Sequence, residues 1–164
     1  MRPTGDRIRE TLFNWLAPNI TDARCLDLFA GTGALGLECL SRGAAQVWLL
    51  EKNTRVAATL DSNLKLLGAD GGKLINVDTI NWLQDQAREV LSAKSINIAF
   101  IDPPFGDNLW KMTIAALEAA DILAINARIY LETPLGKVVQ LGPQWELLRE
   151  KSAGNVCYRL YRRK

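Results

Sequence analysis

Four short apolar runs, residues 25–29, 47–50, 74–77 and 96–101, alternate along this 164-residue chain with stretches whose apolar positions recur at helical spacing. Runs this short and this apolar read as strands buried on both faces. Between them, Val56, Leu60, Leu64 and Leu67 stand three or four residues apart and stop at Gly68, which predicts a helix with a glycine cap. A second helix is expected to open at Gly33 and close before Gly43. A third is expected over residues 108–120, with Trp110, Ile114 and Leu117 on one face. Ahead of the first run, Ile8, Leu12, Trp15 and Leu16 predict a helix that stops before Pro18. Beyond Ile122 the strand candidates are residues 129–132, 138–141, 145–150 and 156–162, the last two joined by a Gly154-Asn155 hairpin turn. Strand–helix alternation closed by strands implies a parallel α/β sheet finished by an antiparallel hairpin. No repeat or low-complexity tract interrupts it, so one domain over residues 1–164 is the simplest organisation.

Composition narrows the class. Hydrophobic residues make up 48% of the chain and charged residues 23%, as in an ordinary soluble domain. No apolar run approaches the ~20 residues of a membrane span, and the N-terminus is polar rather than signal-like. Cys25, Cys39 and Cys157 are widely spaced and form no CxxC pair, so they read as reduced thiols of a cytoplasmic protein. The chain contains no histidine, which removes His-based triads and the usual zinc ligand sets; no metal is expected. The net charge of +2 is unevenly placed: residues 145–164 carry six Lys and Arg against two Glu, leaving a mildly acidic body. Such a basic tail suits a polyanion gripped at one edge. It is also what a solvated terminal strand with ordinary surface charges looks like.

The four parallel-strand candidates share a second feature. Each closes on a carboxylate, Asp27, Glu51, Asp78 and Asp102, at intervals of 24, 27 and 24 residues. That spacing is one strand plus one helix, so the acids are expected along one rim of the sheet. Ligands of open α/β sheets bind outside those carboxyl ends. Acids are also common there as helix caps, but four in register make a capping role alone less comfortable. The turn Gly31-Thr-Gly-Ala-Leu-Gly36 fits the GxGxxG spacing of dinucleotide sites. A pyrophosphate, however, would sit beside Asp27 with no Lys or Arg in the loop to offset the repulsion. S-adenosylmethionine carries a sulfonium and an ammonium against one carboxylate, and an acidic rim suits that net cation. The GxxxxGK[ST] spacing of a triphosphate loop is absent.

Asp102-Pro-Pro-Phe105 gives the rim a chemistry. The lone pair of an exocyclic amine on a base is delocalised into the ring and makes a poor nucleophile. The Asp102 carboxylate and the Pro103 carbonyl can accept its two N–H bonds and turn the lone pair toward an electrophilic methyl. The Pro103-Pro104 pair stiffens the loop, and Phe105 offers a face for a splayed-out base, worth ~1–3 kcal/mol of stacking. Positioning and charge stabilisation then carry most of the catalysis. A rigid turn beside a core phenylalanine would read the same way locally; the glycine turn three strand–helix units earlier favours chemistry.

Asp27-Leu-Phe-Ala-Gly-Thr-Gly resembles motif I of the class I, Rossmann-like methyltransferases, and Asp102-Pro-Pro-Phe105 resembles their amino-methylating motif IV. Arg2-Pro-Thr-Gly-Asp-Arg-Ile-Arg-Glu-Thr-Leu-Phe-Asn-Trp-Leu16 and Arg149-Glu-Lys-Ser-Ala-Gly-Asn-Val-Cys-Tyr-Arg-Leu-Tyr161 are similar, more narrowly, to the RsmD family, which methylates N2 of a guanine in 16S ribosomal RNA. The resemblance covers the whole chain. It implies a Rossmann-like, doubly wound, mostly parallel seven-stranded sheet with a C-terminal antiparallel hairpin. It implies S-adenosylmethionine as cofactor, bound by Thr4, Asp27, Phe29, Gly31, Gly33, Leu35, Glu51, Lys52, Asp78 and Thr79. Among these, Gly31 and Gly33 would approach the methionine part with Asp27 near its amino group, and Thr4, which reads equally as a helix N-cap, would lie over the methionine end; Glu51 would hold the ribose and Asp78 the adenine amine. Asp102, Pro103, Pro104 and Phe105 would hold the target guanine, and Arg2, Arg7, Arg149, Lys151 and Arg159 would contact RNA. The implied partner is 16S ribosomal RNA in an assembled small subunit, met by a monomer without membrane association. Family members usually carry a basic, glycine-rich hairpin before the Arg-Pro-Thr segment. This sequence starts at Met1 directly ahead of it, so either the start is truncated or this version is expected to lack that arm. Two other readings stay open: an N6-adenine methyltransferase, since the Asp-Pro-Pro-Phe loop serves either amine, and a non-catalytic RNA-binding module that keeps the fold.

Overall fold

A two-residue period in the strands decides which side of the sheet meets which helices. The computed structural model describes residues 3–104, 106 and 108–164. In chain order these form α1 (Pro3–Ile20), β1 (Arg24–Asp27), α2 (Ala34–Ser41), β2 (Gln46–Leu50), α3 (Thr54–Leu66), β3 (Gly72–Ile75), α4 (Thr79–Asp85), α5 (Ala87–Val90), β4 (Ile96–Ile101), α6 (Trp110–Ala119), β5 (Leu123–Pro134), β6 (Trp145–Ala153) and β7 (Val156–Arg163). Cys25, Val47, Leu49, Ile98, Phe100 and Tyr130 point to one face, where Leu12, Phe13, Leu16, Cys39, Leu60 and Leu64 of α1 to α3 cover them. Their neighbours Leu26, Trp48, Leu50, Ala99, Ile101, Ile129 and Leu131 point to the other, against Trp82, Leu83, Trp110, Ile114 and Leu117 of α4 and α6. With both faces covered, the central strands β2 and β4 are nearly continuous apolar runs instead of alternating, as parallel sheets require.

The seven-stranded sheet runs β3-β2-β1-β4-β5-β7-β6. Strands β1 to β5 pair in parallel, and β7 is antiparallel to both β5 and β6. The chain therefore winds outward from β1 through β2 to β3, returns, and winds the other way from β4. That reversal between β1 and β4 opens a crevice at their carboxyl ends. Helix α3 shows how local chemistry fixes a boundary. The Asn53 side chain accepts hydrogen bonds from the Arg55 and Val56 amides, both at 3.0 Å, and caps the start. At the other end Gly68, at φ +61°, lets the Ala69 amide reach back to the Leu64 carbonyl at 3.0 Å.

Three expectations differ from the structure. Helix α1 continues through Pro18 to Ile20. In the last turn proline forfeits one amide hydrogen bond, and burial of Leu16 and Ile20 against the sheet outweighs it. Strand β5 begins at Leu123, not residue 129, because a bulge absorbs the polar stretch: pairing with β4 jumps from Leu123 to Arg128, and Asn126 sits at φ +65°. Residues 138–141 form no strand. This apolar run packs Val139 and Leu141 onto the core as irregular chain.

Gly36 marks where α2 lies closest to the sheet. A Cβ there would come within 2.5 Å of Leu49 Cδ2 and 3.2 Å of Val47 Cγ1, both fully buried side chains. Gly36→Ala is expected to destabilise the fold by about 1–3 kcal/mol through overpacking, measured as a lower denaturant midpoint. An unchanged midpoint would mean that α2 can move freely.

Candidate active site

The crevice is a cavity of about 770 Å³ at the carboxyl ends of the parallel strands. Its walls are the turn after β1 with Phe29, Gly31 and Thr32, the start of α2 with Leu35, the exit of β2 with Glu51 and Lys52, and the start of α4 with Asp78 and Thr79. The exit of β4 adds Asp102, Pro103 and Pro104, β5 adds Glu132, and the β6–β7 hairpin adds Asn155 and Val156. The structure thus brings residues spread over most of the chain to one space. Its lining contains four carboxylates and one ammonium group.

Glu51 organises the near wall. One carboxylate oxygen accepts the Gly31 amide at 2.9 Å and the other accepts the Asn53 amide at 2.8 Å, so it braces the glycine turn and the entry to α3 together. Gly31 takes φ +56°, and a Cβ there would meet nothing within 4 Å. The left-handed backbone, rather than crowding, requires glycine at this point. Asp78 caps α4 by accepting the Asn81 amide at 3.1 Å, and Lys52 Nζ lies 3.6 Å from its other oxygen. The Thr79 hydroxyl donates to the Leu28 carbonyl and ties α4 to the β1 turn.

Two expected contacts lie elsewhere. Asp27 is not on the cavity wall but beneath the turn, 2% exposed, accepting hydrogen bonds from the Phe29 and Gly36 amides. Its Oδ2 finds no partner among the described residues. Gly33 is also off the wall, at φ +84°, where a Cβ would meet the Leu60 side chain at 2.3 Å. It serves the packing of α2 against α3. Thr4 lies within α1, while Arg2 and Phe105 lie outside the described residues.

The far wall is a cluster of acids. Asp102 and Glu132 stand next to each other in this wall. The Tyr130 hydroxyl donates to Glu132 Oε2 at 2.8 Å, and Trp110 Nε1 donates to the Glu132 carbonyl at 2.8 Å. Burial first, and the Glu132 charge next, push the Asp102 carboxyl up to about 8. Burial pushes Asp27 up to about 7. A carboxyl raised in this way binds its proton more tightly folded than unfolded. Its contribution to stability is complete below the ordinary 3.8 and is lost as pH rises through the folded value. The unfolding midpoint of the free protein is expected to fall between about pH 4 and 8, and Asp102→Asn should flatten that fall. A midpoint that rises across the window would contradict the buried pair.

Of the five expected RNA contacts, Arg7 and Lys151 come together in a second, smaller pocket with Thr11 and Tyr158, on the other side of the Gly154-Asn155 turn from the cavity. Arg149 is exposed on β6. Arg159 differs: it pairs with Glu150 at 2.6 Å and also reaches Thr133, so its charge is largely spent within the sheet. Sequence reasoning missed Glu132. Its signal was a carboxylate closing an apolar run of 129–132, the same cue that singled out the other four acids. Among the described residues no group of three or more His, Cys, Asp or Glu is placed to hold a metal ion, and no helix is long and apolar enough to cross a membrane.

The family model described as Conserved hypothetical protein 95 matches residues 1–162. Ribosomal RNA small subunit methyltransferase D of Escherichia coli (strain K12) is 47% identical over 164 residues, 99% of this chain and 80% of that protein. The protein of the same name from Haemophilus influenzae is 42% identical, over 98% of this chain and 82% of its own. A solved Escherichia coli structure described as a methyltransferase, yhhF, superposes with a TM-score of 0.88 at 45% identity, covering 96% of this chain and 86% of that one. This chain belongs to the RsmD family, that of the small-subunit ribosomal RNA methyltransferases D.

Proposed function

We propose that the protein transfers a methyl group from S-adenosylmethionine to the exocyclic N2 amine of a guanine in small-subunit 16S ribosomal RNA. The observation that carries this reading is the shared cavity: the amine-gripping wall of Asp102, Pro103 and Pro104 faces the same space as Gly31, Glu51 and Asp78. The cavity's chemistry fits the cofactor. Four carboxylates against one ammonium suit a net cation and oppose a pyrophosphate, and its volume lies within the range of small-molecule sites. The relatives' methylation of small-subunit ribosomal RNA supports the substrate class.

Gly31 would present backbone to the methionine part, Glu51 would accept the ribose hydroxyls with lone pairs its two amide bonds leave free, and Asp78 would take the adenine amine. Bound there, S-adenosylmethionine supplies a methyl group on a positively charged sulfur, which departs as a neutral thioether once the amine has taken the methyl. Asp102 and the Pro103 carbonyl hold the two N–H bonds so that the nitrogen lone pair faces away from the base ring. As the nitrogen becomes cationic, the Asp102 carboxylate stabilises it, and the surplus proton leaves to solvent. Phe105 would stack on the base. Arg7 and Lys151, across the hairpin turn, would meet phosphates flanking the target. We place the reaction on an assembled small subunit, because so small a basic surface suits a preformed RNA–protein target.

Given labelled S-adenosylmethionine and small subunits from cells lacking the activity, the protein is expected to place label in N2-methylguanosine on nucleoside analysis. Label in N6-methyladenosine would hand the same loop to adenine and overturn the guanine assignment.

A further inference from the structure

Glu132 has no role in the amine grip, yet it stands in the cavity wall beside it. The register explains why: Ile101 of β4 pairs with Leu131 of β5, so the next residues, Asp102 just past the end of β4 and Glu132 within β5, stand side by side at the same height. Adjacent strands are about 4.8 Å apart, so the two carboxyl groups are neighbours, close enough for the Glu132 charge to raise the Asp102 carboxyl. Glu132 is also held in place by its own partners. The Tyr130 hydroxyl donates to its Oε2 at 2.8 Å, and the Trp110 indole donates to its backbone carbonyl at 2.8 Å. Tyr130 is itself fully buried between Phe100 and the α1 layer. A second acceptor is thus held rigidly next to the one that takes the amine.

The exocyclic base amines that an Asp-Pro-Pro-Phe loop can grip differ in their ring neighbour. The N2 amine of guanine adjoins N1–H, a donor. The N6 amine of adenine adjoins N1, an acceptor. A loop that grips only the amine cannot tell them apart. A carboxylate fixed beside the amine acceptor can, because it gains a charge-assisted hydrogen bond from guanine N1–H and meets the lone pair of adenine N1. Sites built to pair with a donor reject analogues lacking it, because the buried acceptor is then left unpaired.

We infer that Glu132 is the specificity-determining residue of this site, accepting N1–H of the target guanine while Asp102 accepts its N2 amine. The tyrosine hydroxyl supports that role: it supplies the proton on one Glu132 oxygen from outside the cavity and leaves the other oxygen as an acceptor. Burial raises the Asp102 carboxyl, and an incoming cationic cofactor beside it would favour its ionised, accepting form. This inference rests on the guanine reading above and adds to it the group that selects the base.

The test uses small subunits reconstituted with 16S RNA in which the methylated guanine is kept or replaced by 2-aminopurine, which has the 2-amine but an unprotonated N1. Wild-type protein is expected to methylate the guanine subunits with a kcat/KM at least about 100-fold above that for 2-aminopurine. In Glu132→Gln the side-chain amide can turn to donate or accept, and the ratio is expected to shrink to about tenfold or less. Because 2-aminopurine also lacks O6, the change in ratio on Glu132→Gln isolates the N1 contact. Equal transfer to both bases by the wild type, a comparison needing no variant, would overturn the inference, as would an unchanged ratio in Glu132→Gln. Failure of the wild type on the guanine subunits would instead overturn the functional reading on which it rests.

Discussion

Asp102→Ala is expected to lower kcat for methyl transfer by at least about 10³-fold while leaving the dissociation constant for S-adenosylmethionine within a few-fold of wild type. Asp102 accepts the amine and stabilises the charge that develops on it, which exists only on the way through the transition state, so its loss falls on kcat. Single preorganised groups of this kind are typically worth about 10²–10³ in kcat, and here the same side chain also orients the nucleophile. The near wall of the cavity, with Gly31 and Glu51, does not depend on it. Nor should the variant unfold, because the carboxyl it removes is a buried one pushed up to about 8. Label transfer and calorimetric titration of the same preparation separate the two effects. Parallel loss of transfer and cofactor affinity would sink the assigned role of Asp102.

Glu51→Ala should produce the opposite split. Both carboxylate oxygens hold backbone amides, of Gly31 and Asn53, and the same group faces the cavity. Its removal takes away a ligand contact and unties the turn that carries the ligand's other contacts. Hydrogen bonds to charged groups are worth about 1.5–3 kcal/mol each, so the cofactor dissociation constant is expected to rise about 10- to 100-fold. At saturating cofactor kcat should stay within a few-fold, because the far wall with Asp102 is untouched. Glu51→Gln, which keeps one carbonyl acceptor, should fall between. A Glu51→Ala protein with wild-type cofactor affinity and depressed kcat would place Glu51 on the wrong wall.

The parts of this molecule legible from the chain are those where one physical demand dominates. Residues 96–101 are apolar because they are buried on both faces, and they form β4 with the expected bounds. Gly68 ends α3 because a left-handed cap needs glycine. The acidic rim was legible because β1, β2 and β4 end at or one residue before their carboxylates, while Asp78 follows β3 as the cap of α4. Position along the chain does not reveal depth, however. Asp27 and Glu51 look alike in sequence, yet one braces the turn from below and the other from the cavity side. Gly31 and Gly33 belong to one motif, but only the first borders the cavity, because the second abuts Leu60. Residues 138–141 form no strand: Val139 and Leu141 serve the core without joining a ladder, and local apolarity does not tell the two apart. Arg159 failed as a surface cation because its partner Glu150 sits across a hairpin whose register only the fold sets. Glu132 went unread since its meaning depends on Asp102, thirty residues away in sequence and adjacent across the sheet.

The cavity's acidity separates this site from a dinucleotide pocket with the same glycine spacing, and calorimetry on the isolated protein tests that claim most directly. S-adenosylmethionine is expected to bind with one-to-one stoichiometry and to be displaced by S-adenosylhomocysteine, while NAD gives no heat of binding. Saturable binding of NAD with none of S-adenosylmethionine would contradict it.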